Sequence, residues 1–155
     1  GGSGPDILKG GAGNDAIVFD ANDFLMDGGD GIDNLVAQGD IDLTAVDNDR
    51  ISSVEVIDLG SSNAAYFAQL TADDVKGMNV DAEVLVTGGA GDVARLVGAW
   101  EQGDDFTQGS NTYSVFTLDG ATVNVLTSVS GAAAVGVTYV GTDGRDELVA
   151  GVGPR

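Results

Sequence analysis

The chain has 155 residues with 25 acids against 6 bases, a formal net charge of −19, and neither cysteine nor histidine. That balance repels nucleic-acid phosphates and anionic membrane surfaces. The two missing residue types exclude disulfides, thiolate or imidazole metal sites, and any Ser-His-Asp or Cys-based catalysis. With 43 % hydrophobic residues the chain still has enough apolar surface for one modest core, which separates it from disordered acidic tails. Of the acids 21 are Asp, and 25 residues are Gly, a composition of turns and loop sites and not of helical surfaces. So much negative charge needs a counter-charge in a folded state, and a divalent cation is the obvious one.

The first element is a repeat. Gly1-Gly2-Ser3-Gly4-Pro5-Asp6-Ile7-Leu8-Lys9 runs directly into Gly10-Gly11-Ala12-Gly13-Asn14-Asp15-Ala16-Ile17-Val18. After a nine-residue gap comes Gly28-Gly29-Asp30-Gly31-Ile32-Asp33-Asn34-Leu35-Val36. The gap, 19–27, keeps Asp20, Asp23 and the apolar Met26, so the register survives a degenerate copy. A partial copy recurs at 141–149. In each glycine-rich copy the glycines let the backbone turn and aim carbonyls inward, and the sixth residue adds a carboxylate. Ligands that are all oxygen suit Ca²⁺. The last three residues make a short strand whose middle residue (Leu8, Ile17, Met26, Leu35) points into a shared core.

The pattern G-G-x-G-x-D-x-U-x, with U large and apolar, resembles the calcium-binding nonapeptide of the RTX (repeats-in-toxin) family. That resemblance implies a parallel β-roll with two repeats per turn. The 10–15 loop then stacks on the 28–33 loop, and the 1–6 loop on the 19–24 segment, with Ca²⁺ between the members of each pair. Asp15 and Asp33 serve one side, with carbonyls of Gly11 and Gly13 or of Gly29 and Gly31. Asp6, Asp20 and Asp23 serve the other. The full ligand set expected is Gly2, Gly4, Asp6, Gly11, Gly13, Asp15, Asp20, Asp23, Gly29, Asp30, Gly31 and Asp33.

Beyond the repeats the chain stays β-like, with strands expected at 34–37, 41–44, 54–59, 83–87, 93–97, 112–118, 121–126 and 135–140. One short helix is expected near 71–78, where Thr71 caps, Asp73 and Asp74 follow and Gly77 closes. Asp119-Gly120 between two alternating runs predicts a hairpin. The fold class expected is therefore mainly β: a parallel β-roll running into a β-solenoid or antiparallel β-meander cap. Three stretches follow: repeats at 1–36, a β-rich body and cap at 37–140, and at 141–155 a further repeat or a linker.

The order of segments resembles the C-terminal region of large type I-secreted RTX adhesins over residues 1–127. It runs through Ile41-Asp42-Leu43-Thr44, Ile51-Ser52-Ser53-Val54-Glu55-Val56-Ile57-Asp58-Leu59, Leu70-Thr71-Ala72-Asp73-Asp74-Val75, Val86-Thr87-Gly88-Gly89-Ala90-Gly91-Asp92, Trp100 and Tyr113-Ser114-Val115-Phe116. The chain is read as a piece of a longer protein.

Other residues have two readings each. Gly88–Asp92 is a metal loop or a plain inter-strand turn. Glu55 reaches a metal or a backbone donor, or else faces solvent. Asp40 and Asp42 join a site beyond the 28–33 loop or do not. Trp100 stacks on a sugar or closes a small core. The chain is expected not to be an enzyme, with Ca²⁺ as its cofactor, no nucleic-acid partner and no membrane insertion. The expected function is that of a calcium-folded module of a secreted or surface-located bacterial protein, foremost an adhesin. The alternatives are a Ca²⁺-dependent glycan- or peptide-binding module, a surface-layer protein, and the non-catalytic tail of a secreted enzyme.

Overall fold

The computed structural model describes residues 2–60, 64–127 and 129. Gly1, the strand expected at 135–140, the repeat copy at 141–149 and the rest of 141–155 lie outside the described residues. The fold is mainly β with mixed sheets and one short α-helix. The repeats form β1 (Ile7–Ala12), β2 (Ala16–Val18), β3 (Leu25–Asp30) and β4 (Asn34–Val36). The body continues with β5 (Ile41–Asp42), a 3-10 turn (Leu43–Ala45), β6 (Ile51–Ser52), β7 (Val56–Asp58) and β8 (Phe67–Leu70). After α1 (Ala72–Met78) come β9 (Glu83–Thr87), β10 (Val93–Leu96), β11 (Glu101–Gln102), β12 (Phe106–Gln108), β13 (Asn111–Leu118) and β14 (Ala121–Leu126).

Strand pairing follows the repeat register. Strand β1 pairs with β3 in parallel, Leu8 opposite Met26, and β2 pairs with β4, Ile17 opposite Leu35. Successive repeats therefore alternate between two sheets, and strands in one sheet lie two repeats apart. The four U residues behave alike: Ile17, Met26 and Leu35 are buried, and half-buried Leu8 packs against the same core.

The sheet begun by β2 and β4 runs on through the body. It adds β7, β9 and β14 in parallel, then turns antiparallel at β13, which also carries β11 and β12. Its inward row is Leu35, Ile57, Val86 and Val125, all buried. Repeats and body thus share one sheet and one core. A separate parallel sheet joins β10, β8 and β5.

The hairpin forms at its expected turn. Asp119 and Gly120 both have positive φ (51° and 87°), as a two-residue type I′ connection requires. The expected strand at 41–44 stops at Asp42, whose carboxylate accepts the Thr44 N–H and caps the 3-10 turn. The strand expected at 54–59 narrows to Val56–Asp58. Strands β6, β8, β11 and β12 are short pieces that residue patterning did not anticipate. Trp100 is buried and donates its ring N–H to the Val97 carbonyl at 3.1 Å, which places it in the core.

Helix α1 shows a reciprocal cap. Thr71 Oγ1 accepts from the Asp74 N–H at 3.1 Å, and Asp74 Oδ2 accepts from the Thr71 N–H at 2.8 Å. Burial pushes the Asp74 carboxyl above its ordinary pKa, aided by the negative charges of Asp42 and Asp73, while the hydrogen bonds from Thr71 oppose the rise. A raised folded pKa means that the charge on Asp74 costs stability at neutral pH. That cost fades as pH falls through the folded pKa and is absent below the ordinary carboxylate range. Chemical denaturation at pH 7 is expected to find Thr71→Ala less stable by about 1 kcal/mol. It should find Asp74→Asn, which keeps an acceptor oxygen without a charge, at least as stable as the parent.

Candidate metal centre

The repeat aspartates are tied together by their own backbones. The Asp15 N–H donates to Asp33 Oδ1 at 2.7 Å, across the two stacked loops. The Asp15 carbonyl in turn accepts the Asn34 N–H at 2.8 Å. On the other side the Asp6 N–H donates to Asp23 Oδ1 at 3.0 Å, and the Asp6 carbonyl accepts the Phe24 N–H at 2.8 Å. One carboxylate oxygen of Asp33 and of Asp23 is thereby spent on a neighbouring loop.

The second oxygen is different. Oδ2 of Asp6, Asp15, Asp23 and Asp33 is buried with no hydrogen-bond partner. Asp33 and Asp23 are only 0 % and 1 % exposed, so bulk solvent does not reach them. An ionised oxygen buried without a partner is among the costliest arrangements in a protein. All four such oxygens belong to repeat aspartates.

The glycines provide the room. Positive φ occurs at Gly2, Gly4, Gly11, Gly13, Gly29 and Gly31, the second and fourth positions of each glycine-rich copy. The first position is needed for space instead. A Cβ on Gly10 would stand 2.5 Å from the Gly28 carbonyl oxygen and 2.7 Å from Asp15 Oδ2. The Gly11 and Gly13 carbonyl oxygens likewise aim at the next loop, 2.0 Å and 2.2 Å from where Cβ atoms on Gly29 and Gly31 would be. Carboxylate and carbonyl oxygens thus converge on spaces that any side chain would fill, a donor set suited to a hard cation such as Ca²⁺. Among the described residues no three His, Cys, Asp or Glu side chains come together as a metal-holding group. A cation here would rely on pairs of carboxylates and on backbone carbonyls.

The expected ligands divide. Asp15 meets Asp33 and Asp6 meets Asp23, as the stacking requires. Asp20 does not join them: its Oδ1 accepts the Asn22 N–H at 2.8 Å and holds its own turn. Without glycines, the degenerate loop makes a tight turn from Asp20 to Asp23, and the carboxylate arrives one residue early, at Asp23 instead of position 24. Asp30 stands apart as well. Its side chain is exposed, and its carbonyl takes the Gly13 N–H at 2.8 Å. Gly2 and Gly4 are exposed, with no atom within 4 Å of a would-be Cβ.

Asp92 is equally buried, at 1 %, yet both its oxygens are used, by the N–H groups of Tyr66 and Gly89. Gly88–Asp92 is therefore a turn that braces a neighbouring strand. Asp40 accepts the Phe67 N–H and Asp42 caps the 3-10 turn, so neither extends the repeat ladder. Of the readings of Glu55 the backbone donor is the one seen, and the role of Arg50 was not foreseen. Glu55 Oε2 accepts the Asp33 N–H at 2.9 Å. Arg50 donates to the Ala21 carbonyl at 3.5 Å and pairs with Asp47 at 3.8 Å.

No family model, no curated protein and no solved structure matches this chain.

Gly28→Ala tests the cradle, since its Cβ would lie 2.0 Å from the Ser53 carbonyl oxygen and 2.6 Å from Asp33 Oδ2. Denaturation is expected to show a loss of about 1–3 kcal/mol. Gly39→Ala, with nothing within 4 Å, should stay within about 0.5 kcal/mol of the parent. Equal effects would mean that the loop spaces are not constrained.

Proposed function

We propose that this chain is a calcium-binding module, folded by calcium, of an RTX-type secreted or surface-located bacterial protein, foremost an adhesin. The observation that carries the reading is the set of four buried, unpartnered Oδ2 atoms on Asp6, Asp15, Asp23 and Asp33. Parallel pairing of strands two repeats apart supports a β-roll, with the body as its continuation and the antiparallel β13–β14 pair as its cover. The module is proposed to have no catalytic role.

The charge explains how such a module works. At −19 the chain repels itself, and repulsion among the repeat aspartates opposes stacking wherever calcium is scarce. Calcium binds only the stacked form, so its binding energy becomes folding energy. Extracellular calcium modules commonly work at about 10⁻⁴–10⁻³ M. A chain of this kind stays extended until it reaches such a medium. Magnesium, which needs a smaller octahedral site and keeps its waters, substitutes poorly.

Circular dichroism in calcium and in EGTA tests this, with Asp33→Asn as the partner experiment. EGTA is expected to remove β signal and lower the melting temperature. In saturating calcium Asp33→Asn should lose at least about 1.4 kcal/mol, a tenfold drop in affinity. In EGTA it should be no less stable than the parent, because it carries one buried charge fewer. A spectrum and melting temperature indifferent to EGTA would sink the reading. An equal loss in both buffers would reduce Asp33 to a structural role.

A further inference from the structure

The Gly28–Asp33 loop is followed, one layer on, by a turn without glycine. Met26 pairs with Ile51, Asp27 with Ser52 and Asn34 with Val56. Ser53 therefore takes the place of Gly28, and Glu55 the place of Asp33. Three residues, 53–55, span what six span in the loop before. The shorter turn is matched by a longer side chain. Glu55 Oε2 accepts the Asp33 N–H at 2.9 Å, as Asp33 Oδ1 accepts the Asp15 N–H at 2.7 Å. The Asp33 carbonyl accepts the Glu55 N–H at 3.1 Å, which closes the layer.

The space between these two turns has the features of the repeat sites. Asp33 is 0 % exposed, and its unpartnered Oδ2 points into that space, 2.6 Å from where a Gly28 Cβ would stand. The Ser53 carbonyl oxygen approaches the same point to 2.0 Å. Ser53 holds that carbonyl in place with a φ of 53°, a left-handed conformation unusual for serine. Arg50, the cationic residue of this layer, is engaged with Asp47 and the Ala21 carbonyl.

We propose that the Ser53–Glu55 turn and the Gly28–Asp33 loop hold a divalent cation, Ca²⁺, between them, with Asp33, Glu55 and the Ser53 carbonyl as its protein ligands. The site lies partly outside the glycine repeats. It rests on the calcium reading above and carries that chemistry one layer into the body, so that β6 and β7 are fastened to the repeats by a metal as well as by strand pairing. Two carboxylates and a carbonyl are hard oxygen donors, and water completes the shell of a Ca²⁺ ion.

Native mass spectrometry of the calcium-loaded chain, of Glu55→Gln and of Asp15→Asn tests the site. Glu55→Gln keeps an oxygen for the Asp33 N–H and removes the charge. It is expected to hold one ion fewer than the parent, with an unchanged dichroism spectrum in calcium. Asp15→Asn, altered in the neighbouring layer, should also lose one ion. An unchanged ion count in Glu55→Gln, with a loss in Asp15→Asn, overturns this site and leaves the repeat sites standing. A parent chain that holds no ion overturns both. Should Glu55→Gln fail to fold, anomalous diffraction from calcium-grown crystals of the parent decides: a peak within about 2.6 Å of the Ser53 carbonyl oxygen supports the site, and its absence overturns it.

Discussion

Asp23 and Asp33 each have two carboxylate oxygens, of which a neighbouring backbone N–H satisfies only one. Asp33 shows the division: Oδ1 is held by the Asp15 N–H, while Oδ2 is buried with nothing to accept from. Stacking the loops creates the hydrogen bond and the problem together, because the same approach that brings the Asp15 N–H to Asp33 excludes water from the other oxygen. Gly10 and Gly28, first in their loops, permit that approach, and the U residues beneath drive it by burial. A cation between layers would relieve the constraint. The sheet built on those layers runs through β7, β9 and β14 into the antiparallel end.

The contrast with other buried acids gives the constraint its meaning. Asp92 is as buried as Asp23 and comes from a glycine-rich stretch, yet two backbone N–H groups use up its oxygens. Asp74 is buried too, and its carboxylate closes a helix cap. Burial of an acid is thus not by itself a sign of metal. What separates Asp6, Asp15, Asp23 and Asp33 is a buried Oδ2 without a partner, which at Asp23 and Asp33 is the oxygen left over after a backbone N–H has been served.

Much of this was legible in the sequence, because a nine-residue period is a geometric instruction. It marked the repeats and their U residues, and the resemblance to the RTX nonapeptide implied the stacking of 10–15 on 28–33 and the pairing of Asp15 with Asp33. The hairpin at Asp119-Gly120 and the cap at Thr71 were equally local signals. Legibility ended where the period did. In 19–27 the turn contracts by one residue, so Asp23 takes the role assigned by counting to the position of Phe24, and Asp20 is diverted into its own turn. In 53–55 the loop loses its glycines, and Glu replaces Asp because the reach has changed. Residue types alone do not fix either shift; both follow from which backbone N–H is near. The strands at 51–52, 67–70 and 101–102 exist through partners more distant in sequence, which local alternation does not encode, while 106–108 pairs with the strand that follows it.

The central claim is that the carboxylate–amide ladder of the repeats depends on a cation. Amide hydrogen exchange at Asp6, Asp15 and Asp33, whose N–H groups donate into the next layer's carboxylates, reads that ladder directly. The account predicts strong protection of these three amides in millimolar calcium and its loss in EGTA. Protection that persists unchanged in EGTA would show that the stacked acids hold together without a metal, and would contradict it.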